Sequence, residues 1–386
     1  MPNEKGENME NVDGRDMSFE ELKQYISEEK NLAEEFVVTV NPEDIIILWG
    51  GGIALYWYNK FFQKKGIKPL YIVDKNTNQH GKFLYGMKVI SPEEVLCMQN
   101  FNKVKFVVTA PKYKREIINE IRQLFGTVRI YSFEAEIYCT FISDIKQYRE
   151  YLVENFDTLR EMYYEFSDEK SRETFIAFVK GRISAEQDYF INAMVPDQYF
   201  PPDIIRLNTD EVIVEAGSND GRTLQEMIDI TNGKFKRIYC FEPDKICIEM
   251  LEKIITKSQK PITLIRKGVG VTQSEVKFKT DSIMGGSRVV IDEDYDYKID
   301  ITAIDDEIDE RVTMIKMDIE GLEFDALRGA ERILRENMPK LAICVYHERE
   351  DIIRIWQYLK KVYPKYKFYL RHHNWGATET VLYAVP

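Results

Sequence analysis

The hydrophobic pattern of residues 37–141 alternates between short continuous apolar runs and longer segments with helical spacing. The run Ile45–Trp49 ends at three glycines, 50–52, and apolar positions then recur at helical spacing over 54–65. A continuous apolar run that ends in glycine and leads into a helix is typical of a buried parallel strand. The same alternation predicts strands at 70–73, 104–109 and 127–131 and a helix at 112–125. We therefore expect a small Rossmann-like βαβ domain at 37–141.

Residues 142–203 carry a helical pattern and no strand signal. Tyr148, Leu152, Phe156 and Leu159 follow one another at three- and four-residue spacing, and three prolines lie between 196 and 202. Such spacing is typical of amphipathic helices, and prolines end them. We expect this segment to be a helical connector between two domains.

Strand and helix patterns alternate again over 204–386. The predicted strands lie at 212–214, 237–241, 262–266, 314–317, 341–346, 367–371 and 380–385, with helices from 222 and at 245–256, 322–337 and 351–361 and a strand-rich insertion at 275–302. A short turn joins the last two strands, so one of them runs against its neighbours. Dinucleotide-binding sheets are mostly parallel, whereas a doubly wound sheet that ends in an antiparallel hairpin is the class I methyltransferase arrangement. The predicted fold class is α/β, with two Rossmann-like doubly wound sheets joined by the helical connector.

Two segments hold more than all of the net charge of −12. Residues 1–36 contain eleven acidic and four basic side chains, and residues 292–310 contain ten acidic side chains and one lysine, which leaves the rest slightly basic. Ser18 followed by Glu21 resembles a capping box that starts a short helix, but we expect 1–36 to be a flexible acidic tail. The chain has no stripe of Lys and Arg interleaved with aromatic residues, so we do not expect it to bind nucleic acid.

The cysteines and the apolar runs bear on the compartment. The five cysteines are odd in number, form no C-x-x-C pair and mostly lie inside apolar runs, which is typical of reduced thiols in a cytosolic core. The acidic N-terminus does not resemble a secretory signal. The longest apolar stretch, residues 45–58, is shorter than the roughly 20 residues that span a bilayer. We expect a cytoplasmic protein without a membrane span.

A glycine-containing turn follows the first strand of the C-terminal unit. It reads Glu215-x-Gly217-x-x-x-Gly221, and glycines there let the backbone approach a ligand at a helix N-terminus. A plain tight turn would carry the same residues. Glu242 ends the next strand, where a carboxylate suits hydrogen bonding to a ribose diol. Together they favour a nucleoside cofactor.

Three candidate catalytic side chains follow later strands. Asp318 and Glu320 come directly after the strand at 314–317, and His347 follows the strand at 341–346. All three are expected at the carboxyl edge of the sheet, where ligands of such folds bind. The structural alternatives are an N-cap carboxylate for the helix at 322 and a histidine without a catalytic role.

The C-terminal unit resembles the FkbM-type family of S-adenosylmethionine-dependent methyltransferases over roughly 165–386. The resemblance rests on the turns at 214–221 and 241–243, Ile304-Asp305, the segment 315–323, residues 327–330, Val345-Tyr346-His347 and the final hairpin. It implies methyl transfer from S-adenosylmethionine to a hydroxyl oxygen of a sugar, glycan or other natural product. The cofactor-binding residues carried over are Glu215, Gly217, Asn219, Asp220, Gly221, Glu242, Pro243, Gly268 and Val269. Glu215 stands where the family often has aspartate.

The chemistry that this resemblance implies leaves several alternatives open. A sugar hydroxyl needs a base, and Asp318, Glu320 and His347 are the unranked candidates. Asp318 has a second interpretation as the ligand of a divalent cation that lowers the hydroxyl pKa. The insertion at 281–310 is expected to overhang the cleft, with Ser287 and Arg288 near the acceptor.

The N-terminal unit resembles the small nucleotide-binding domains of sugar-modifying enzymes. Residues 50–52 and Asp74 correspond to the glycine loop and the acidic residue of dinucleotide-binding domains. Leu55, however, stands where such loops have a third glycine. A sugar nucleotide or no ligand is therefore as well supported as NAD. The rival functions are a nicotinamide-dependent oxidoreductase and a nucleotide-sugar-binding protein with a non-catalytic methyltransferase domain.

Overall fold

Two helices precede the first sheet. The computed structural model describes residues 19–28, 30–140, 142, 144–280 and 287–386, and it begins with α1 (Phe19–Ser27) and α2 (Leu32–Thr39). Phe19 and Ile26 of α1 and Phe36 of α2 are buried in the main hydrophobic core. The prediction of a flexible tail is therefore wrong from residue 19 onward, because these apolar side chains repeat at helical spacing on one face. The predicted cap residue, Ser18, lies outside the described residues.

The N-terminal sheet has six strands in the order β3-β4-β2-β1-β5-β6. Its elements are β1 (Ile45–Trp49), α3 (Leu55–Lys65), β2 (Tyr71–Val73), β3 (Phe83–Leu84), β4 (Met87–Ile90), α4 (Pro92–Leu96), β5 (Val104–Val108), α5 (Lys114–Phe125) and β6 (Arg129–Tyr131). All neighbouring strands are parallel except β3 and β4. Strand β2 lies on one side of β1, and β5 lies on the other side. The glycine loop after β1 therefore lies at the point where the strand order reverses.

Five helices connect the two sheets. They are α6 (Ile137–Thr140), α7 (Ile145–Glu154), α8 (Phe156–Glu165), α9 (Glu169–Ser184) and α10 (Gln187–Ala193). The last half of α9 is buried almost completely, because the helix packs against α1, α10 and the C-terminal strand at 367–372. Asn31 donates to the carbonyl of Ile183 at 2.8 Å, and Arg371 forms an ion pair with Asp168 at 2.6 Å. These contacts attach the helical segment to the N-terminal helices and to the C-terminal sheet.

The C-terminal sheet has seven strands in the order β16-β17-β15-β14-β7-β8-β9. The elements of this part of the chain, in chain order and including the small inserted sheet β10–β13, are β7 (Val212–Ala216), α11 (Arg222–Ile230), β8 (Arg237–Phe241), α12 (Lys245–Ser258), β9 (Ile262–Ile265), β10 (Gly268–Val269), β11 (Ser274–Lys279), β12 (Arg288–Val290), β13 (Tyr297–Thr302), α13 (Ile304–Glu307), β14 (Met314–Met317), α14 (Glu323–Arg328), α15 (Glu331–Asn337), β15 (Lys340–Cys344), α16 (Asp351–Val362), β16 (Lys367–His372) and β17 (Thr380–Val385). Strand β17 is antiparallel to both neighbours. The predicted α/β class and the antiparallel hairpin are confirmed.

The insertion after β9 forms a second, small sheet. Its strands lie in the order β10-β13-β11-β12, and Phe278, Ile299 and Ile301 form a separate hydrophobic cluster. Its acidic side chains lie on the outside, where Lys277 pairs with Glu293 at 2.6 Å. The acids of this segment are therefore a solvated edge that lysines partly neutralise.

The helix predicted at 322–337 is divided into α14 and α15 at Gly329. A Cβ at Gly329 would lie 2.0 Å from the carbonyl oxygen of Gly270. The backbone N–H of Asp305 donates to the carbonyl of Gly329 at 2.9 Å, and the Asp305 carboxylate accepts from the N–H of Arg332 at 2.7 Å. The insertion thus packs against the helix at this glycine and interrupts it.

Within the described residues, no helix has both the length and the apolar character needed to cross a membrane. All five cysteines are free thiols, and Cys240 and Cys344 are buried.

Candidate functional site

A cavity of about 440 Å³ lies at the carboxyl edge of the C-terminal sheet. We call it the sheet-edge cavity. Parallel strands bring their carboxyl ends together here, so loops that are distant in sequence meet. Nine of the predicted site residues line it: Gly217, Asn219, Asp220, Glu242, Pro243, Gly268, Val269, Asp318 and Glu320. The structure therefore brings most of the predicted cofactor residues and two candidate bases to one cavity.

Glu215 and Gly221 do not line the sheet-edge cavity but shape its loop. Glu215 is fully buried below the turn and accepts a hydrogen bond from the Ser218 hydroxyl at 2.9 Å, and burial raises its pKa. Gly221 precedes α11 with φ +84°, and a Cβ there would lie 2.5 Å from Ile254. Both residues therefore have structural roles in this geometry.

Glu242 is one of the residues that line the sheet-edge cavity. One carboxylate oxygen accepts from the backbone N–H of Asn219 at 2.7 Å, and the other accepts from the backbone N–H of Asp244 at 2.8 Å. Burial raises the pKa of Glu242 to about 7. The two backbone donors fix the orientation of the carboxylate and leave lone pairs free for a diol.

The small inserted sheet supplies an apolar wall that the sequence did not reveal. Phe278, Ile299 and Ile301 line the sheet-edge cavity, together with Ile246 and Met250 of α12. Hydrophobic residues with few polar groups are typical of small-molecule pockets.

Asp318 lies in a cluster of hydroxyl and imidazole groups. Its carboxylate accepts hydrogen bonds from the Tyr199 hydroxyl at 2.7 Å and from the Tyr346 hydroxyl at 3.2 Å. The Nε2 atom of His347 lies 3.5 Å from an Asp318 oxygen and 3.7 Å from a Glu320 oxygen. The three candidate catalytic residues are therefore neighbours, as their strand-end positions suggested.

Glu323 is a buried member of the same cluster that the sequence analysis did not single out. Its carboxylate accepts from the backbone N–H groups of Ile319 at 2.7 Å and Gly321 at 3.1 Å. It also lies 3.0 Å from Nδ1 of His347. Glu323 thus holds the loop that carries Asp318 and Glu320.

The pKa values of His347 and Asp318 differ from those of the free side chains. Burial opposes a charge on His347, but Glu323, Glu320 and Asp318 outweigh it and raise its pKa well above the ordinary value. Burial likewise opposes the charge of Asp318, but Lys316 and His347 outweigh it and lower its pKa. His347 is therefore an imidazolium beside the carboxylate of Asp318.

Glu320 differs from Asp318 in charge and position. Its side chain is 37 % exposed, whereas that of Asp318 is 23 % exposed. Desolvation, opposed by His347 and reinforced by Asp318, raises its pKa to about 7. A carboxyl group with this pKa changes its protonation state at neutral pH, as a general base requires.

A second cavity, of about 770 Å³, lies between the two domains. We call it the interdomain cavity. Its N-terminal side includes the glycine loop at 52–54, and its C-terminal side includes His347 and Tyr346. Glu320 and Arg288 line both cavities. A group in either cavity therefore approaches the same carboxyl group.

The N-terminal glycine loop differs from a dinucleotide site. One carboxylate oxygen of Asp74 accepts from the backbone N–H of Gly51 at 2.7 Å, and the other accepts from the N–H of Asn76 at 2.7 Å. Asp74 is absent from the described lining of the interdomain cavity. Its carboxylate stabilises the loop instead of facing a ligand.

Two groups of side chains have the donor atoms of a cation site. One consists of Asp318, Glu323 and His347 and the other of Asp318, Cys344 and Glu379, and in each the ligand atoms lie within 4.8 Å of one another. Carboxylate and imidazole donors suit a divalent transition metal. In this geometry the imidazolium of His347 already balances the carboxylates, and a metal would have to displace its proton.

The sheet-edge cavity lies in the part of the chain that matches a known family. Residues 215–368 match the model of the methyltransferase FkbM domain. Residues 215–368 therefore form a methyltransferase FkbM domain.

Comparison with solved structures extends the similarity of fold to the rest of the chain. Methyltransferase FkbM from Methylobacillus flagellatus KT aligns with a TM-score of 0.75 and 24% identity, over 95% of this chain and 98% of that one. An rRNA methylase from Streptococcus thermophilus aligns over 46% of this chain and 87% of that one, with 16% identity and a TM-score of 0.31. Aeropyrum pernix fibrillarin, with natively bound S-adenosyl-L-methionine, aligns over 47% and 70%, with 15% identity and a TM-score of 0.31. No curated protein matches the sequence.

Proposed function

We propose that the protein is an S-adenosylmethionine-dependent O-methyltransferase that acts on a hydroxyl group of a sugar, glycan or related natural product. The observation that carries this proposal is the position of Glu320, which lines both the sheet-edge cavity and the interdomain cavity. A methyl donor in the first and an acceptor in the second would meet at this carboxyl group.

The residues of the sheet-edge cavity fit the proposed cofactor. Glu242, held by two backbone amides, would bind the ribose diol. Gly268 and Val269 would contact the adenine beside the apolar wall of the inserted sheet, and the loop at Gly217 would border the methionine part. Bound S-adenosylmethionine supplies an electrophilic methyl group on a sulfonium, so the protein mainly has to orient the acceptor oxygen.

Among the three candidate bases, the charges favour Glu320. His347 already carries a proton, and Asp318 is a weak base because Lys316 and His347 stabilise its charge. Glu320, with a pKa of about 7, would accept the proton of the acceptor hydroxyl as the new C–O bond forms. Asp318 would then hold Tyr199 and Tyr346 in place around the acceptor.

Binding experiments test the cofactor assignment. Calorimetry on the full chain with S-adenosylmethionine, S-adenosylhomocysteine, NAD and a UDP-sugar should show micromolar binding of the first two only. Binding of NAD without S-adenosylmethionine would favour an oxidoreductase, and binding of the UDP-sugar alone would favour a non-catalytic domain. Either result would overturn the proposal.

A turnover experiment tests the reaction. Transfer of a labelled methyl group to a panel of sugars should occur, and Asp318→Asn should lower kcat while the affinity for S-adenosylhomocysteine stays within about twofold. Chelation separates the role of Asp318 as a positioning group from its role as a cation ligand. Activity that survives a chelator favours the first, and loss that Mn²⁺ or Mg²⁺ restores favours the second.

A further inference from the structure

The interdomain cavity has an acidic floor to which both domains contribute. Glu134 and Glu136 follow β6 of the N-terminal sheet, and Glu320 and Glu379 come from the C-terminal domain. Glu134 is only 3 % exposed, and its Oε1 atom accepts from the backbone N–H of Glu136 at 3.1 Å. The Gln187 side chain lies near this carboxylate, but Oε2 has no partner at normal hydrogen-bond distance among the described residues. A buried carboxylate oxygen without a donor is costly, so it indicates a ligand that donates to it.

Gly376 locates the space beside the N-terminal pair of acids. A Cβ built on Gly376 would lie 3.0 Å from Oε2 of Glu134 and 3.7 Å from Oε2 of Glu136. The two carboxylate oxygens thus face one region of the cavity, and glycine keeps that region free of a side chain.

The C-terminal half of the floor is close to the reaction centre. The Tyr346 hydroxyl lies 3.2 Å from an Asp318 oxygen and 3.4 Å from an oxygen of Glu379. Burial raises the pKa of Glu136, and the charges of Glu134, Glu379 and Glu320 raise it further. Glu136 is therefore near enough to the other three glutamates to be repelled by them.

Nearby cations do not neutralise this floor. His347 is the one buried cation among the described lining residues, and it already faces Asp318, Glu320 and Glu323. Lys60, Lys112 and Arg288 also line the cavity but are exposed. Burial raises the pKa of Glu134 to about 7.

We propose that the acceptor carries a protonated amine, which Glu134 and Glu136 bind while a hydroxyl of the same molecule faces Glu320. This inference rests on the proposed function and names its substrate class as amino sugars. An ammonium group offers three donors and a positive charge, so it satisfies Oε2 of Glu134 and relieves the repulsion. A neutral hydroxyl would supply only the hydrogen bond. The flanking Trp57 and Trp375 offer apolar surfaces for the sugar ring.

Matched pairs of sugars test the proposal on the full chain saturated with S-adenosylhomocysteine. Calorimetry should show that glucosamine and galactosamine bind about tenfold more tightly than glucose and galactose, because charge-assisted hydrogen bonds are the stronger ones. N-acetylglucosamine, which keeps the nitrogen but not the charge, should bind like glucose. Equal affinities, a preference for the neutral sugars, or no binding of the hexosamines at millimolar concentration would overturn the proposal.

Variants test whether Glu134 and Glu136 cause the preference for hexosamines. Glu134→Gln and Glu136→Gln should each reduce the hexosamine preference to about twofold or less, and Gly376→Ala should weaken hexosamine binding by filling the space beside both acids. Glu116→Gln, on the exposed face of α5, is the matched control and should keep the preference. A preference that persists in all three cavity variants would refute the assignment of the amine to this pair.

The two proposals can fail separately. If S-adenosylhomocysteine does not bind, the proposed function is wrong. If it binds and neutral sugars are preferred, the methyltransferase assignment stands and the amine assignment falls.

Discussion

The carbonyl oxygen of Asp318 fills the space that a side chain at Gly217 would need. A Cβ built on Gly217 lies 1.8 Å from that oxygen, and the residue has φ +78°. The Lys316 ammonium donates to the carbonyl of Gly217 at 2.6 Å. The loops after β7 and β14 therefore touch through their backbones, which brings the predicted cofactor residues and the candidate bases together.

Gly217→Ala should destabilise the protein and abolish cofactor binding. The methyl group would force the two loops apart and strain a left-handed backbone, at a cost of about 3 kcal/mol or more. Thermal unfolding should show a lower midpoint, and calorimetry should show no binding of S-adenosylhomocysteine at temperatures where the variant is folded.

Gly52→Ala is the matched control for this substitution. A Cβ at Gly52 meets no atom within 4 Å, although the residue lines the interdomain cavity. Its thermal midpoint and its affinity for S-adenosylhomocysteine should stay close to those of the wild type. Normal cofactor binding by folded Gly217→Ala would contradict the proposed packing of the two loops.

The sequence predicted the parts of the site that lie at strand ends, because their positions depend on local patterns. Gly217, Glu242 and Asp318 each follow an apolar strand, and parallel strands bring such residues to one edge. Tyr199 could not be predicted in the same way. It comes from the proline-containing segment of the connector, and only tertiary packing brings its hydroxyl to Asp318.

The errors in the predicted fold have the same origin. Phe19 and Ile26 lie in an acidic segment whose composition suggested disorder, although their spacing agreed with a helix. The break at Gly329 depends on the close approach of Gly270, almost sixty residues earlier in the chain. Glu134 was not singled out because its chemistry depends on burial and on residues of the other domain.

Glu242→Gln should weaken cofactor binding while the fold remains intact. The amide keeps one oxygen acceptor for a backbone N–H, but its NH2 group faces the other backbone donor and loses the charge-assisted bonds. We expect the Kd for S-adenosylhomocysteine to rise by about 10- to 100-fold, as for the loss of about 1.4 to 2.8 kcal/mol. Calorimetry measures this directly.

Glu252→Gln serves as the control for Glu242→Gln. Glu252 is a partly exposed acid on α12 that pairs with Arg266 at the surface. Its loss should leave the Kd unchanged, since surface ion pairs contribute little. Equal affinities of the Glu242 variant and the wild type would show that this carboxylate does not hold the ribose.

The rate of methyl transfer should rise with pH through about 7. Glu320 accepts a proton only when it is ionised, and its pKa is raised to about 7 by its surroundings. Single-turnover rates between about pH 5.5 and 8.5 should therefore increase and then level off. Glu320→Gln should lose this rise and react about 100-fold more slowly.

A His347 variant tests whether that profile belongs to Glu320. The imidazolium of His347 lowers the pKa of Glu320, so His347→Gln should move the midpoint of the profile to higher pH. Glu348→Gln, on the wall of the interdomain cavity, should retain a rising profile. A wild-type rate that falls as pH increases through 7 would exclude Glu320 as the base.

The buried acids should also make the ligand-free protein less stable as pH rises. Burial raises the pKa of Glu134 from an ordinary 4.5 to about 7. Between these values the folded state binds more protons than the unfolded state, so stability is full below about pH 4.5 and is lost as pH rises through 7. A shift of this size corresponds to about 3 kcal/mol. Glu134→Gln removes the ionisation, and its amide can still accept from the N–H of Glu136.

Thermal unfolding at pH 5, 6, 7 and 8 measures this effect without any ligand. The midpoint of the wild type should decline across the series, and that of Glu134→Gln should decline less and exceed the wild-type value at pH 8. The exposed control Glu116→Gln should follow the wild type, because an acid in water has the same pKa folded and unfolded. If Glu134→Gln and the wild type decline in parallel, Glu134 is ionised at low cost in the ligand-free protein, and its unpaired oxygen does not require a cation from the acceptor.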